Sequence, residues 1–173
     1  MIVKYIELSL LVLICLISDI RTFKIKNLII VIFMTAGLTT NLITTGFTGL
    51  ADSFLAAALP ILLLIIFYMA RMLGAGDIKL FCAIGAIAGV RFVLYTMAYS
   101  FIAGGIIACI IMLVNKSFRR RGRYLVSYLK ACYLTRSLQP YTDFKDKSDG
   151  AKFRFSYAVA CGTAIALIVK NAQ

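Results

Sequence analysis

Two aspartates carry the clearest chemical potential of this chain. Asp19 closes one apolar run and Asp77 opens another. Two facing carboxylates can share a proton, because like charges at close range do not both ionise easily. The ionised partner then activates a water, and the protonated partner polarises a scissile carbonyl. That chemistry hydrolyses a peptide bond without a metal or a covalent nucleophile. The chain contains no His, so Ser-His-Asp and Cys-His catalysis within it are excluded and the commonest metal ligand is missing. The five cysteines, Cys15, Cys82, Cys109, Cys132 and Cys161, form no C-x-x-C. They read as packing residues rather than a zinc or redox site. No metal and no cofactor is expected.

The surroundings of both acids are informative. Asp77 lies in Gly74-Ala75-Gly76-Asp77-Ile78-Lys79-Leu80. Gly74 and Gly76 are expected to allow backbone conformations closed to other residues and a close approach by an extended substrate. The simpler expectation is that Asp77 N-caps a helix after a glycine turn. For Asp19 the simpler expectation is an interfacial charge paired with Arg21 or Lys24. Taken singly, each acid suits its simpler role. The pair is what points to chemistry.

The elements that must position this pair follow from composition. Of the 173 residues, 62% are apolar types and only 15% are charged, with a mean hydropathy of +0.94. A soluble domain is nearer half apolar and a quarter charged. This length cannot bury so much apolar surface and still show water a polar exterior. A soluble domain, a disordered chain and a secreted disulfide scaffold are therefore excluded. The expectation is an all-α polytopic membrane protein forming one integral-membrane domain over 1–173. The N-terminal run reads as a retained first helix, because no small-residue cleavage site follows it before Asp19.

Apolar runs predict spans over about 2–18, 28–45, 54–73, 77–90, 92–114 and 153–169. The stretch 78–114 is interrupted only by Arg91 and would be about 55 Å long as one helix, so it must cross twice. It is expected to turn near 89–91. Most of the 19 basic residues then fall after spans one, three and five, which makes those loops cytoplasmic and leaves both termini outside. Lys4, Arg91 and Lys170 remain on the outer side, and Asp52 sits in an outer loop. Asp19 and Asp77 meet at the cytoplasmic edge, where ionisable groups at membrane depth are a functional signal. The loop 115–152 is long and basic. It reads either as an amphipathic helix against anionic inner-leaflet lipid or as a solvated, topology-setting segment. Nucleic acid is not an expected partner.

These residues resemble a known family, the type IV prepilin peptidases, which are membrane aspartyl proteases with a G-x-G-D motif. The chain looks most like the short forms that serve Flp or tight-adherence pili. Asp19-Ile20-Arg21 followed by Ile25-Lys26-Asn27 is similar to the family's D-x-R-…-I-P-N segment. Gly74 to Leu80 matches G-x-G-D-x-K-L, and Phe155-Ser156-Tyr157 resembles the entry to the last span. Lys26 and Ser156 stand where the family usually has Pro. The resemblance implies catalysis by Asp19 and Asp77. Gly74, Gly76, Lys79, Arg21 and Asn27 are the supporting motif. Lys79 would snorkel to the headgroups or tune the acid pair, Arg21 would hold Asp19 or bind lipid phosphate, and Asn27 would order the loop between spans one and two.

The resemblance further implies removal of a short basic leader from a prepilin or pseudopilin, after a Gly, at the cytoplasmic face of a bacterial inner membrane. The family's longer members carry a cysteine-rich insert associated with N-methylation. This chain lacks it, so no methyltransferase activity is expected. Three alternatives remain at this stage: a G-x-G-D protease for another signal segment such as a preflagellin, a proton-coupled membrane protein, and a non-enzymatic scaffold for pilus assembly.

Overall fold

The computed structural model describes residues 2–22, 26–70, 72–114 and 155–172. The basic loop 115–152 with its amphipathic reading, together with Lys24 and Arg71, lies outside the described residues. Those that are described form five helices: α1 (Ile2–Thr22), α2 (Asn27–Met69), α3 (Ala75–Ala88), α4 (Val90–Val114) and α5 (Phe155–Ala172). Among the described residues there is no strand, in accord with the all-α expectation.

α2 has 43 residues but is two arms joined at Gly46, whose φ of 70° and ψ of −153° are non-helical. A residue with a Cβ is strained at such a φ, and glycine is not. The turn therefore occupies one residue. This corrects the expected outer loop: Asp52 lies on the second helical arm, because the helix resumes directly after Gly46. That arm ends at Met69, short of the expected 73. A second break falls at Gly89, with φ 87° and ψ 174°, and separates α3 from α4. The apolar stretch 78–114 is thus divided where its length requires.

α3 is the centre of the bundle. Nine of its residues, including Leu80, Phe81, Ile84 and Ile87, are buried. Its sequence is apolar around the whole circumference, which suits a helix enclosed by others. Small residues let it be enclosed. A Cβ at Gly85 would collide with the carbonyl oxygen of Ala56 on the second arm of α2, and one at Gly37 would lie 2.9 Å from the Ile87 backbone. α3 is thereby wedged between the two arms. α4 and α5 pack against each other in the same way, with Gly162 against the backbone of Ser100. Such close approaches are how helices pair when lipid removes the hydrophobic drive between them. With 14 residues, α3 is about 21 Å long.

Outside this core the helices expose large apolar side chains, among them Ile6, Leu13, Leu62, Ile102, Ile106 and Ile168. In water this surface would be an aggregation site; against lipid it is solvated. Asn27–Met69 and Val90–Ile111 are long and apolar enough to cross a membrane. α1 carries Lys4, Glu7, Asp19 and Arg21 near its two ends.

The polar residues collect at two opposite ends. At one, Lys79 meets Asn27 and Asp77 meets the field of Asp19. At the other, Lys4 donates to Asn41, Asp52 reaches Gly89 and Lys170 lies over Phe92. The chain alternates between these ends from helix to helix.

Candidate active site

Asp19 lies in the last turn of α1 and Asp77 in the first turn of α3. Both are half-buried. The negative charge of Asp19 is felt at the Asp77 carboxyl group, so the fold brings the two acids into one electrostatic neighbourhood at one end of the bundle. Asp19 makes no ion pair with Arg21 among the described residues, and Arg21 is exposed. The simpler reading of Asp19 as half of a local Asp–Arg pair is not what the structure adopts.

Asp77 is not the N-cap of α3. That position is Gly74, with φ −79° and ψ 145°, and Asp77 stands three residues inside. Its carboxylate turns back and accepts a hydrogen bond from the Gly74 N–H. This is the returning half of a capping box, which satisfies one of the free donors at a helix start. The peptide N–H of Asp77 in turn donates to the Gly74 carbonyl at 3.1 Å. The carboxylate is therefore held in a defined place by its own helix.

Neither motif glycine adopts a positive φ, and at Gly74 it is space that matters. Among the described glycines only Gly46 and Gly89 have positive φ. The expectation of special conformations at Gly74 and Gly76 is corrected on that point. At Gly74 a Cβ would sit 3.2 Å from Oδ2 of Asp77 and would crowd the carboxylate that bonds back to it. Gly76 occupies the first turn of α3 and is half-buried.

Lys79 is exposed, but its Nζ donates to Oδ1 of Asn27 at 2.9 Å. The bond ties the start of α3 to the start of α2, two residues beyond Asp77. Lys79 thus has a protein partner, which neither of its sequence roles included. Asn27 likewise orders a junction between α2 and α3 rather than the loop before it alone.

Beside the glycine segment lies an open cavity of about 450 Å³, lined by Tyr68, Met69, Met72, Leu73, Gly74 and Ala75. Reading 54–73 as one uniform span hid it. The usable signal was a pair of methionines directly before the glycines, since Met fills irregular apolar sites adaptably. At the far end of the bundle the sequence reading also missed Asn41. This buried residue donates to the carbonyls of Gly37, Ala86 and Ile87 and accepts from Lys4. A single Asn in an apolar run was its signal. Glu7 accepts a 2.7 Å hydrogen bond from Thr40, and its second oxygen is buried without a partner.

The described residues contain no cluster of three or more His, Cys, Asp or Glu that could hold a metal ion. The arrangement is two carboxyl groups, a backbone donor, a bridging lysine and an open cavity. Those parts suit acid–base hydrolysis of an extended peptide.

No curated protein and no solved structure gives a significant match to the chain. The sequence model of the type IV leader peptidase family matches residues 6–109, which hold both aspartates and the whole glycine segment. That match covers more than half of the sequence, and the chain belongs to the type IV leader peptidase family, a family of membrane proteases.

Proposed function

We propose that the protein is an aspartyl endopeptidase that removes the short basic leader of Flp-like type IV prepilins or pseudopilins. The observation that carries this reading is that Asp19 in the last turn of α1 and Asp77 in the first turn of α3 lie within electrostatic reach of each other at one end of an apolar bundle. In the proposed reaction the ionised carboxylate takes a proton from water as the water oxygen attacks the scissile carbonyl carbon. The protonated carboxyl group gives its proton to the carbonyl oxygen. The carboxyl group that took the water proton then gives it to the leaving nitrogen, the other carboxylate takes a proton back from a hydroxyl of the tetrahedral diol, and the C–N bond breaks.

The surroundings of the pair support this substrate class. A prepilin presents a soluble basic leader joined to an apolar helix. The cavity lined by Tyr68, Met69, Met72 and Leu73 suits an apolar side chain on the helix side of the cut. The leader stays on the cytoplasmic side of an inner membrane, where the positive-inside rule puts the ends of α1 and α3 that bear the aspartates. In this reading six helical arms cross the membrane, α2 crosses twice by means of Gly46, and both termini face out. Peptidase activity is expected without methyltransferase activity.

The test is cleavage in membranes. A candidate Flp-type prepilin is co-expressed with the wild-type chain, with Asp19→Asn and with Asp77→Asn, and leader loss is read by mass. Wild type is expected to cut after the leader Gly. Each variant, present at the same membrane level, is expected to lose at least about a thousandfold in rate. Cleavage by both variants at the wild-type rate would overturn the two-aspartate mechanism.

A further inference from the structure

The end of the bundle opposite the aspartates carries a second, unrelated cavity. It encloses about 630 Å³ and lies where α4 and α5 meet, with Asp52, Gly89, Arg91, Tyr95, Tyr99 and Lys170 in its wall. Its size falls in the range of small-ligand sites. From α5 come Ala166, Val169 and Lys170, and from α4 Phe92 adds an aromatic ring. The wall of the cavity thus combines basic with aliphatic and aromatic groups.

The charges at this end are unusual for its place in the chain. Arg91 and Lys170 make no ion pair among the described residues, and both are exposed. Lys4, the third basic residue here, is already bonded to Asn41. Among the described residues Lys170 lies against aromatic rings, with its Nζ 5.4 Å from the centroid of Phe92 and 5.7 Å from that of Tyr5. One carboxylate shares the cavity, that of Asp52. Its Oδ2 lies where a Cβ on Gly89 would stand 2.7 Å away, against the N-terminus of α4, where the helix dipole favours negative charge. Arg91 and Lys170 together exceed it by one positive charge.

Depth gives the second line of argument. Tyr95 and Tyr99 stack along α4 with ring centroids 6.4 Å apart and planes 19° apart. Tyrosines of this kind sit at the headgroup level of a bilayer, with the apolar body inward and the hydroxyl toward water. Both line the cavity that holds Arg91 and Lys170. A ligand here meets cations at headgroup depth and an apolar α4–α5 seam below them.

We infer that this cavity binds the phosphate headgroup of an anionic phospholipid from the leaflet opposite the active site, with Arg91 and Lys170 as the phosphate ligands and its acyl chain along the seam of α4 and α5. An Arg fork and a Lys ammonium are the usual partners of a phosphodiester. The lipid would hold together the pair of helices that pack mainly on each other, at the end remote from Asp19 and Asp77. This site is separate from the proposed peptidase chemistry and stands or falls independently of it.

The experiment uses the full chain, purified in detergent and depleted of lipid. Retained adducts are read by native mass spectrometry after adding phosphatidylglycerol, phosphatidylcholine or inorganic phosphate. Phosphatidylglycerol is expected to give a retained one-to-one adduct, with neither of the others doing so. Each basic residue near a headgroup is worth about a factor of five, so Arg91→Gln with Lys170→Gln should weaken retention about twenty-five-fold. Lys26→Gln, at the other end, should leave it unchanged. The melting temperature without lipid checks that the double variant is folded. Equal retention of phosphatidylcholine, or wild-type retention by the folded double variant, would overturn the site. Binding of inorganic phosphate in place of the lipid would overturn the lipid assignment.

Discussion

Lys79 Nζ donates to Asn27 Oδ1 at 2.9 Å, joining residues 52 positions apart. The bond crosses from the second turn of α3 to the first residue of α2. Asp77 lies two residues before the lysine, so the orientation of α3 that aims Asp77 is fixed from both sides. Gly74 holds the carboxylate and Asn27 holds the helix. Because the pair is exposed, its value is modest in energy and larger in geometry.

A double-mutant cycle measures that contact. Lys79→Met and Asn27→Leu are each expected to lower the rate of leader removal by about fivefold, equivalent to roughly 1 kcal/mol. The two losses should not add, because either change alone breaks the same bond. Rates of cleavage in membranes for the four chains are the measurement. Full additivity would show that Lys79 and Asn27 act separately.

Asn41 is expected to matter for stability rather than for chemistry. Its amide closes the C-terminal end of α3 by donating to Ala86 and Ile87 at 3.0 and 3.1 Å. Asn41→Leu removes those donors and leaves Lys4 without its acceptor. Hydrogen bonds between membrane helices average well under 1 kcal/mol each, so the summed cost should be about 2 kcal/mol. The checks are the melting temperature in detergent, expected to fall, and the cleavage rate per folded molecule, expected to change little.

Gly85 tests the wedge that seats α3. Gly85→Ala places a methyl group against the Ala56 carbonyl, which is backbone and cannot rotate away. Overpacking of this kind costs about 1–3 kcal/mol. A lower melting temperature is expected. Gly105→Ala is the control, since a Cβ there meets nothing within 4 Å.

The acid pair predicts a cleavage rate with two limbs in pH. One carboxyl group must be ionised and the other protonated for the proposed step, so the rate should fall toward both acid and alkaline extremes. A rate profile in membrane vesicles across pH checks this. A flat profile through the range where the pair exchanges its proton would contradict a shared-proton mechanism.

Much of this protein was legible in its sequence. Long apolar runs imply helices that face lipid, because run length and helical rise are local properties. Asp19, Asp77 and the glycines before Asp77 were visible as residue types at a spacing that chemistry could use. Packing decided the rest. The burial of α3 between the arms of α2, the bond from Lys79 to Asn27 and the clamp around Asn41 all join residues far apart in the chain. Each depends on which small residues let two backbones touch, and no periodicity encodes that partner. The same packing gathers Arg91 and Lys170 around one cavity, although sequence alone marked them only as two scattered cations on the outer side.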